Sequence, residues 1–445
     1  MSLKSLLPCC ALALAACAAL DPGDTAYSHQ DYVGALAIWQ PQAAADNARA
    51  ELGLGLLYLN GRGIKQDSAQ AAHWFSRAAE QGNAAAQYNL GRLYFKGDGL
   101  AQSDAQALVW YTKAARQGEA RAQSELGFMY GTGRGAAIDY PQALSWYGKA
   151  AAQGNADAQY NLAVMYQDGQ GTAPDPVQAQ HWFSLAAQQG SAQAQFNLGL
   201  IYQYGQGTAQ DYAQALPWYR KAADQGDARA ENNLGLLYSN GWGVARDYVQ
   251  AASWQQKAVD QGNVPAEYNL GELYSKGLGV AQDYTRALSL EHKAADQGYA
   301  PAQFILGQAY AFGDGVPKDY AQALTWYRQA ADQGYPEANI ALAIFYISGK
   351  GVPKVDLAEA DRLLRKVGSL GDIDAQAMLG ALYEQPDFSR HNLVLAHVFY
   401  ALAAAAGNAK AAERANAIAL KLTPEQLKQA EALAKAWEPG VGLPE

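Results

Sequence analysis

The sequence predicts an all-α solenoid of about ten stacked helix-turn-helix repeats, and three observations carry that reading. A 36-residue block recurs along the chain, each copy marked by Tyr-x-x-Gly-x-Gly. Its tyrosines are Tyr58, Tyr94, Tyr130, Tyr166, Tyr202, Tyr238, Tyr274, Tyr310 and Tyr346, and the glycine pairs run from Gly61/Gly63 to Gly349/Gly351. A fixed period of this size signals units that bury their apolar faces only by stacking. Within each block the apolar residues recur three and four apart, the spacing of one helical face. Half of the 445 residues are apolar, and a stacked array turns that content into a core without needing a single centre.

The first element is a targeting segment, residues 1–16. It carries one positive charge, Lys4, and an apolar run broken only by Pro8, too short to span a bilayer. All three cysteines lie in or beside it: Cys9, Cys10 and Cys17. Leu14-Ala15-Ala16-Cys17 resembles the bacterial lipobox, which implies that Cys17 becomes the lipidated first residue of the mature chain. No internal disulfide is then available. Ala18 follows instead of Asp, resembling outer-membrane delivery in Gram-negative sorting. Residues 17–30 are expected to tether the array, at residues 31–412, close to the membrane.

The array opens with a lone second-type helix at Asp31 to Ala44. In each full unit helix A carries the pattern Ala84, Gln87, Leu90, Gly91, Tyr94 and stops at the glycine pair, because glycine accepts the left-handed backbone that ends helices. Helix B starts at a capping column, Asp67, Ser103, Asp139, Asp175, Asp211, Asp247, Asp283, Asp319 and Asp356, with Gln, Glu or Arg three residues on. That spacing predicts a reciprocal capping box in nearly every unit. Helix B is expected to bury Ala107, Trp110, Tyr111, Ala114 and Ala115 and to end at a Gln-Gly dipeptide. Trp74, Trp110, Trp146, Trp182, Trp218, Trp254 and Trp326 share one column. One extra residue sits between Gly351 and Asp356. The tenth unit keeps Leu379 and Tyr383 but loses its glycines, as terminal repeats often do.

Segments such as Trp218-Tyr219-Arg220-Lys221-Ala222-Ala223-Asp224-Gln225-Gly226, Leu234-Gly235-Leu236-Leu237-Tyr238 and Gly241-Trp242-Gly243-Val244 resemble the Sel-one-like repeat family, a relative of the tetratricopeptide repeat. Leu422-Thr423-Pro424-Glu425-Gln426-Leu427 to Trp437 resembles a terminal helix of bacterial members, so residues 413–445 are read as a capping helix and tail. The resemblance implies an extended right-handed superhelix acting as an adaptor, often exported and working in the cell envelope. Some cysteine-rich members bind or hydrolyse β-lactams, which makes a cell-wall-directed hydrolase the alternative. This chain lacks their paired cysteines and has no Ser-x-x-Lys.

Motifs for catalysis, cofactors or metals are not evident. There is no phosphate-binding Gly-rich loop and no His-Glu-x-x-His, and the Gly-x-Gly turns follow helices rather than strands. A net charge of −9 argues against a nucleic-acid partner, since phosphate binding needs excess Lys and Arg. The expected function is therefore a non-enzymatic scaffold in the envelope, periplasmic or surface-facing, binding a protein or peptide. Two groups of residues are candidates for that contact. Asn89, Asn161, Asn197, Asn233 and Asn269 share the column before the Leu-Gly of helix A, where an amide offers donor and acceptor to a ligand backbone. In the turns, apolar residues interrupt polar columns at Tyr204, Trp242, Leu278 and Phe312. Stacking would align these four as an exposed stripe, the usual mark of an interface.

Overall fold

The computed structural model describes residues 21–444. Cys17, the targeting segment and the start of the expected tether lie outside the described residues. Those described hold 24 helices and no strand. They divide into two compact units, one ending at Asp227 and the other beginning at Ala228. The first runs from helix Pro22–Ser28 to Tyr212–Ala223, the second from Ala228–Asn240 to Pro424–Ala436.

Each repeat pairs an A helix such as Ala84–Lys96 with a B helix such as Asp104–Arg116, both of 13 residues. The three turn glycines of the repeat do different work. Gly97, at φ 73°, closes helix A in the left-handed region. Gly99 also has positive φ, and a Cβ there would stand 2.3 Å from the Ser68 carbonyl carbon of the preceding repeat. It is thus a contact residue as well as a turn residue. Gly118, at φ 92°, would meet nothing within 4 Å and serves the turn alone.

The capping column behaves as expected on one side only. Asp67 accepts from the Gln70 N–H at 3.0 Å, and Asp139, Asp211, Asp247 and Asp283 repeat the bond. The reciprocal half of the predicted capping box does not form in these repeats; the full box occurs at Thr423 and Gln426. The reason is that the cap's own N–H is already spent. It donates to the carbonyl of the recurring tyrosine, as from Asp67 to Tyr58 at 3.0 Å and from Asp139 to Tyr130 at 2.9 Å. That bond fastens the start of helix B to the last turn of helix A and leaves the glutamine side chain nothing to cap.

Helices A and B meet where a ring lies on a glycine. A Cβ on Gly91 would stand 2.8 Å from Tyr111, and Gly127 with Tyr147, Gly199 with Tyr219 and Gly307 with Tyr327 are as close. The tryptophan column, expected as core fill, is mostly half-buried. Lys113, Lys149 and Lys221 lie 3.9–4.0 Å from the ring centroids of Trp110, Trp146 and Trp218, a cation–π cover for the exposed face.

Successive repeats are joined by an amide relay that periodicity did not reveal. Buried Gln123 donates to the Ala115 carbonyl at the end of the previous B helix, at 3.1 Å. Its oxygen accepts from Gln153, at the end of its own B helix, at 2.7 Å. The offset of 30 residues recurs for Gln117 to Gln87, Gln189 to Gln159, Gln297 to Glu267 and Gln333 to Gln303. Buried side-chain amides carry a desolvation cost unless paired, and here each pair is satisfied by the neighbouring unit.

Both ends depart from the expected boundaries. Part of the segment read as a tether is folded: Pro22–Ser28 is a helix, and Asp21 accepts from the Trp39 indole at 3.3 Å. At the other end the boundary at 412 falls inside helix Ala409–Ala419. The last turn region is tied down by buried Asp361, which holds Arg365 at 3.1 Å and Arg390 at 2.8 Å.

Candidate functional site

The asparagine column splits into two behaviours. Asn89 and Asn197 donate to the carbonyls of Ala85 and Gln193 four residues back on their own helices, at 2.8 and 2.9 Å. Asn161 is half-buried. In the second unit the column acts across helices: Asn269 donates to the Asn232 oxygen at 2.9 Å, and Asn232 donates to Asn233 at 3.3 Å. Asn232 replaces the aromatic found at Tyr88, Tyr160, Phe196 and Tyr268 in other repeats, so the amides there have a polar neighbour to join.

The apolar turn residues also separate. Tyr204 belongs to the first unit and is 61% exposed; Phe312, in the second, is 68% exposed and Trp242 39%. Leu278 is half-buried and lines a hollow of about 230 Å³ together with Asn269, Asn240 and Lys276. Phe312 lines another, of about 300 Å³, with Ile340 and Ile344. The structure therefore brings Leu278 and Asn269, named for different reasons, to the same place.

Between these two hollows lies a larger one, about 570 Å³, bordered by Lys276, Leu288, Glu291, Ile305, Gln308 and Ala309. Its cause is two substitutions in helical columns. Where other repeats set a ring on the small residue of helix A (Phe75, Tyr111, Tyr147, Phe183, Tyr219, Tyr327), the repeat at 264–299 has Glu291 and the preceding one Gln255. Where others have Leu93, Met129, Ile201 or Phe345, the following repeat, at 300–335, has Ala309. Glu291 is 6% exposed. Burial, helped by the nearby charge of Glu272, raises its carboxyl to about 7. Sequence reading missed Glu291, Gln255 and Ala309. The test that singled out the turn residues, departure from a repeat column, would have found them if applied to the helices.

Lys276 borders the first and second hollows and Gln308 the second and third. One continuous surface on the A helices Ala228–Asn240 to Pro336–Ser348 thus carries two recesses of mixed lining followed by an apolar one. His73 and His181 lie edge-on to Trp74 and Trp182, with ring centroids 5.1 and 4.9 Å apart. Among the described residues no group of His, Cys, Asp or Glu is placed to hold a metal.

Tandem helical pairs stacked at a fixed 36-residue step define a repeat protein of the tetratricopeptide-like class. The family described as Sel1 repeat matches ten consecutive segments, from 48–83 to 373–408, and the chain belongs to that family. It is similar to a protective antigen present in uropathogenic Escherichia coli strains, which displays an SLR fold. The identity is 34%, over 90% of this chain and 93% of that one, with a TM-score of 0.64. It is also similar to a Sel1 repeat protein from Oxalobacter formigenes, at 32% identity over 70% of this chain and 89% of that one, with a TM-score of 0.56. A comparison with curated proteins finds no match. Repeats of this class generally mediate protein–protein interaction.

Proposed function

We propose that this chain is a non-enzymatic scaffold of the bacterial envelope that seats a segment of a partner protein on the A-helix face of its second unit. The observation that carries this reading is the run of three linked hollows, about 230, 570 and 300 Å³. A run of separate recesses suits successive side chains of an extended segment, and the amides of Asn269 and Asn240 beside them suit its backbone. Phe312 supplies the exposed aromatic that interfaces favour. A photo-reactive amino acid placed at Phe312 or Asn240 should trap a discrete partner in intact cells, whereas one at Val33, exposed in the first unit, should not. Equal trapping at all three positions would refute the assignment of the face.

The location follows from Leu14-Ala15-Ala16-Cys17: we place the chain at the membrane through lipid on Cys17. Several acyl chains hold firmly where one does not. Because Pro22–Ser28 is helical, the connection is shorter than an extended segment of residues 17–30 would be, which keeps the array near the bilayer surface. Cys17→Ser should release the protein into the soluble fraction. Unchanged membrane association together with unchanged mass would exclude the anchor.

A further inference from the structure

We infer that the hollow at Glu291 is a seat for a basic side chain of the partner, its ammonium or guanidinium paired with the Glu291 carboxylate. The inference rests on the scaffold reading above and specifies what the middle recess recognises. Glu291 is buried, only 6% exposed, borders the hollow, and makes no side-chain hydrogen bond or ion pair with any described residue. A buried carboxylate without a partner is costly. A chain that only needed a core would set tyrosine there, as Tyr219 and Tyr327 do.

The charges around it select the sign of the ligand. On the A helix Val264–Lys276, Glu272 faces Glu291 and is itself held by a close ion pair with Lys276. Asp314 borders the same hollow from the following turn and has no ion-pair partner among the described residues. Along Glu291's own helix, Lys293 is engaged by Glu267 at 2.6 Å, and His292 stands edge-on to the rings of Tyr310 and Trp326. The hydroxyl of Tyr284 accepts from Gln282 at 2.8 Å. What remains uncompensated at the hollow is two carboxylates. Its walls, Leu288, Ile305 and Ala309, are apolar. Apolar walls beneath an acidic group fit a side chain with a hydrocarbon stem and a cationic tip.

The variants are drawn from the repeat itself. Glu291→Gln puts there the residue that Gln255 already is, and Ala309→Leu puts there what Leu273 is; both columns show that the fold accepts them. The probe is lysine blocked as its N-acetyl N-methylamide, with the norleucine analogue lacking only the ammonium. Binding is followed by ligand-observed NMR on the whole mature chain, with thermal melting to confirm folding. The lysine probe should bind, the norleucine probe should bind about tenfold more weakly or worse, and each variant should lose the lysine preference. Binding of lysine should tighten from about pH 6 to about pH 8, because Glu291 must shed its proton to form the pair, and Glu291→Gln should abolish that trend. Equal binding of the two probes, or lysine binding unchanged in both variants, would overturn the inference. If the photo-reactive residue at Phe312 still traps its partner in Glu291→Gln cells while the lysine probe fails on the native chain, the basic seat alone is wrong. If trapping fails in native cells, the scaffold reading is what falls.

Discussion

Glu291 shows how much one side chain changes a repeat. A ring over helix A closes most units; with Glu291 in its place, a Cβ on Gly271 would stand 3.2 Å from the Glu291 Cγ and 3.3 Å from the Ala287 carbonyl oxygen. The replacement has a consequence for stability that depends on pH. The carboxyl rises from the usual 4.5 to about 7 on folding, so the folded chain holds a proton that the unfolded chain has lost between those values. Stability linked to Glu291 is therefore intact below about 4.5, declines as pH rises, and is fully lost above about 7. Glu291→Gln removes this dependence. Its melting temperature relative to the native chain should be higher at about pH 8 than at about pH 5, and melts at the two values check it. A difference independent of pH would show that Glu291 titrates normally in the folded state.

At the scale of the element, the contrast between two glycines makes the sharpest prediction. Gly99→Ala forces a Cβ against the Ser68 carbonyl and strains a φ of 72°. Gly118→Ala strains a φ of 92° in open space. The second should cost about 1–2 kcal/mol, and the first should cost clearly more, because backbone atoms of the preceding repeat must move as well. Urea unfolding of the two variants side by side measures the difference; equal losses would mean that the Gly99 contact is soft. Helix boundaries, glycine stops and the capping column were all legible in the sequence, because each follows from local backbone chemistry repeated at a fixed step. What was not legible depends on which columns face each other. The cap N–H of Asp67 reaches Tyr58 and Gln153 reaches Gln123, and periodicity names columns without saying which of them touch. The same limit hid the hollow at Glu291 and Ala309, although both residues stand out within their own columns. The asparagines were read as one column, yet Asn89 bonds to its own helix and Asn269 to a neighbour, a difference set by the residue at position 232.

At the scale of the whole molecule, the tests proposed for Cys17 and for the face around Phe312 concern well-separated parts of the sequence and can fail independently. The feature with the widest reach is the constant offset of 30 in the amide relay. Removing the repeat at 120–155 joins residue 119 to residue 156. Gln159 then finds the Ala115 carbonyl where it had found Ala151, and Gln189 still reaches Gln159. The shortened chain should melt in one cooperative step at a modestly lower temperature, whereas a deletion one residue smaller should not, since the columns behind it would slip off the helical face they serve. Differential scanning calorimetry of both shortened chains would show it; cooperative melting of both would mean that the relay does not set the register. Carried back to the gene, this means that recombination between neighbouring copies yields a foldable product whenever the crossover is homologous. Array length is then free to drift between lineages while the contacts within each copy stay fixed.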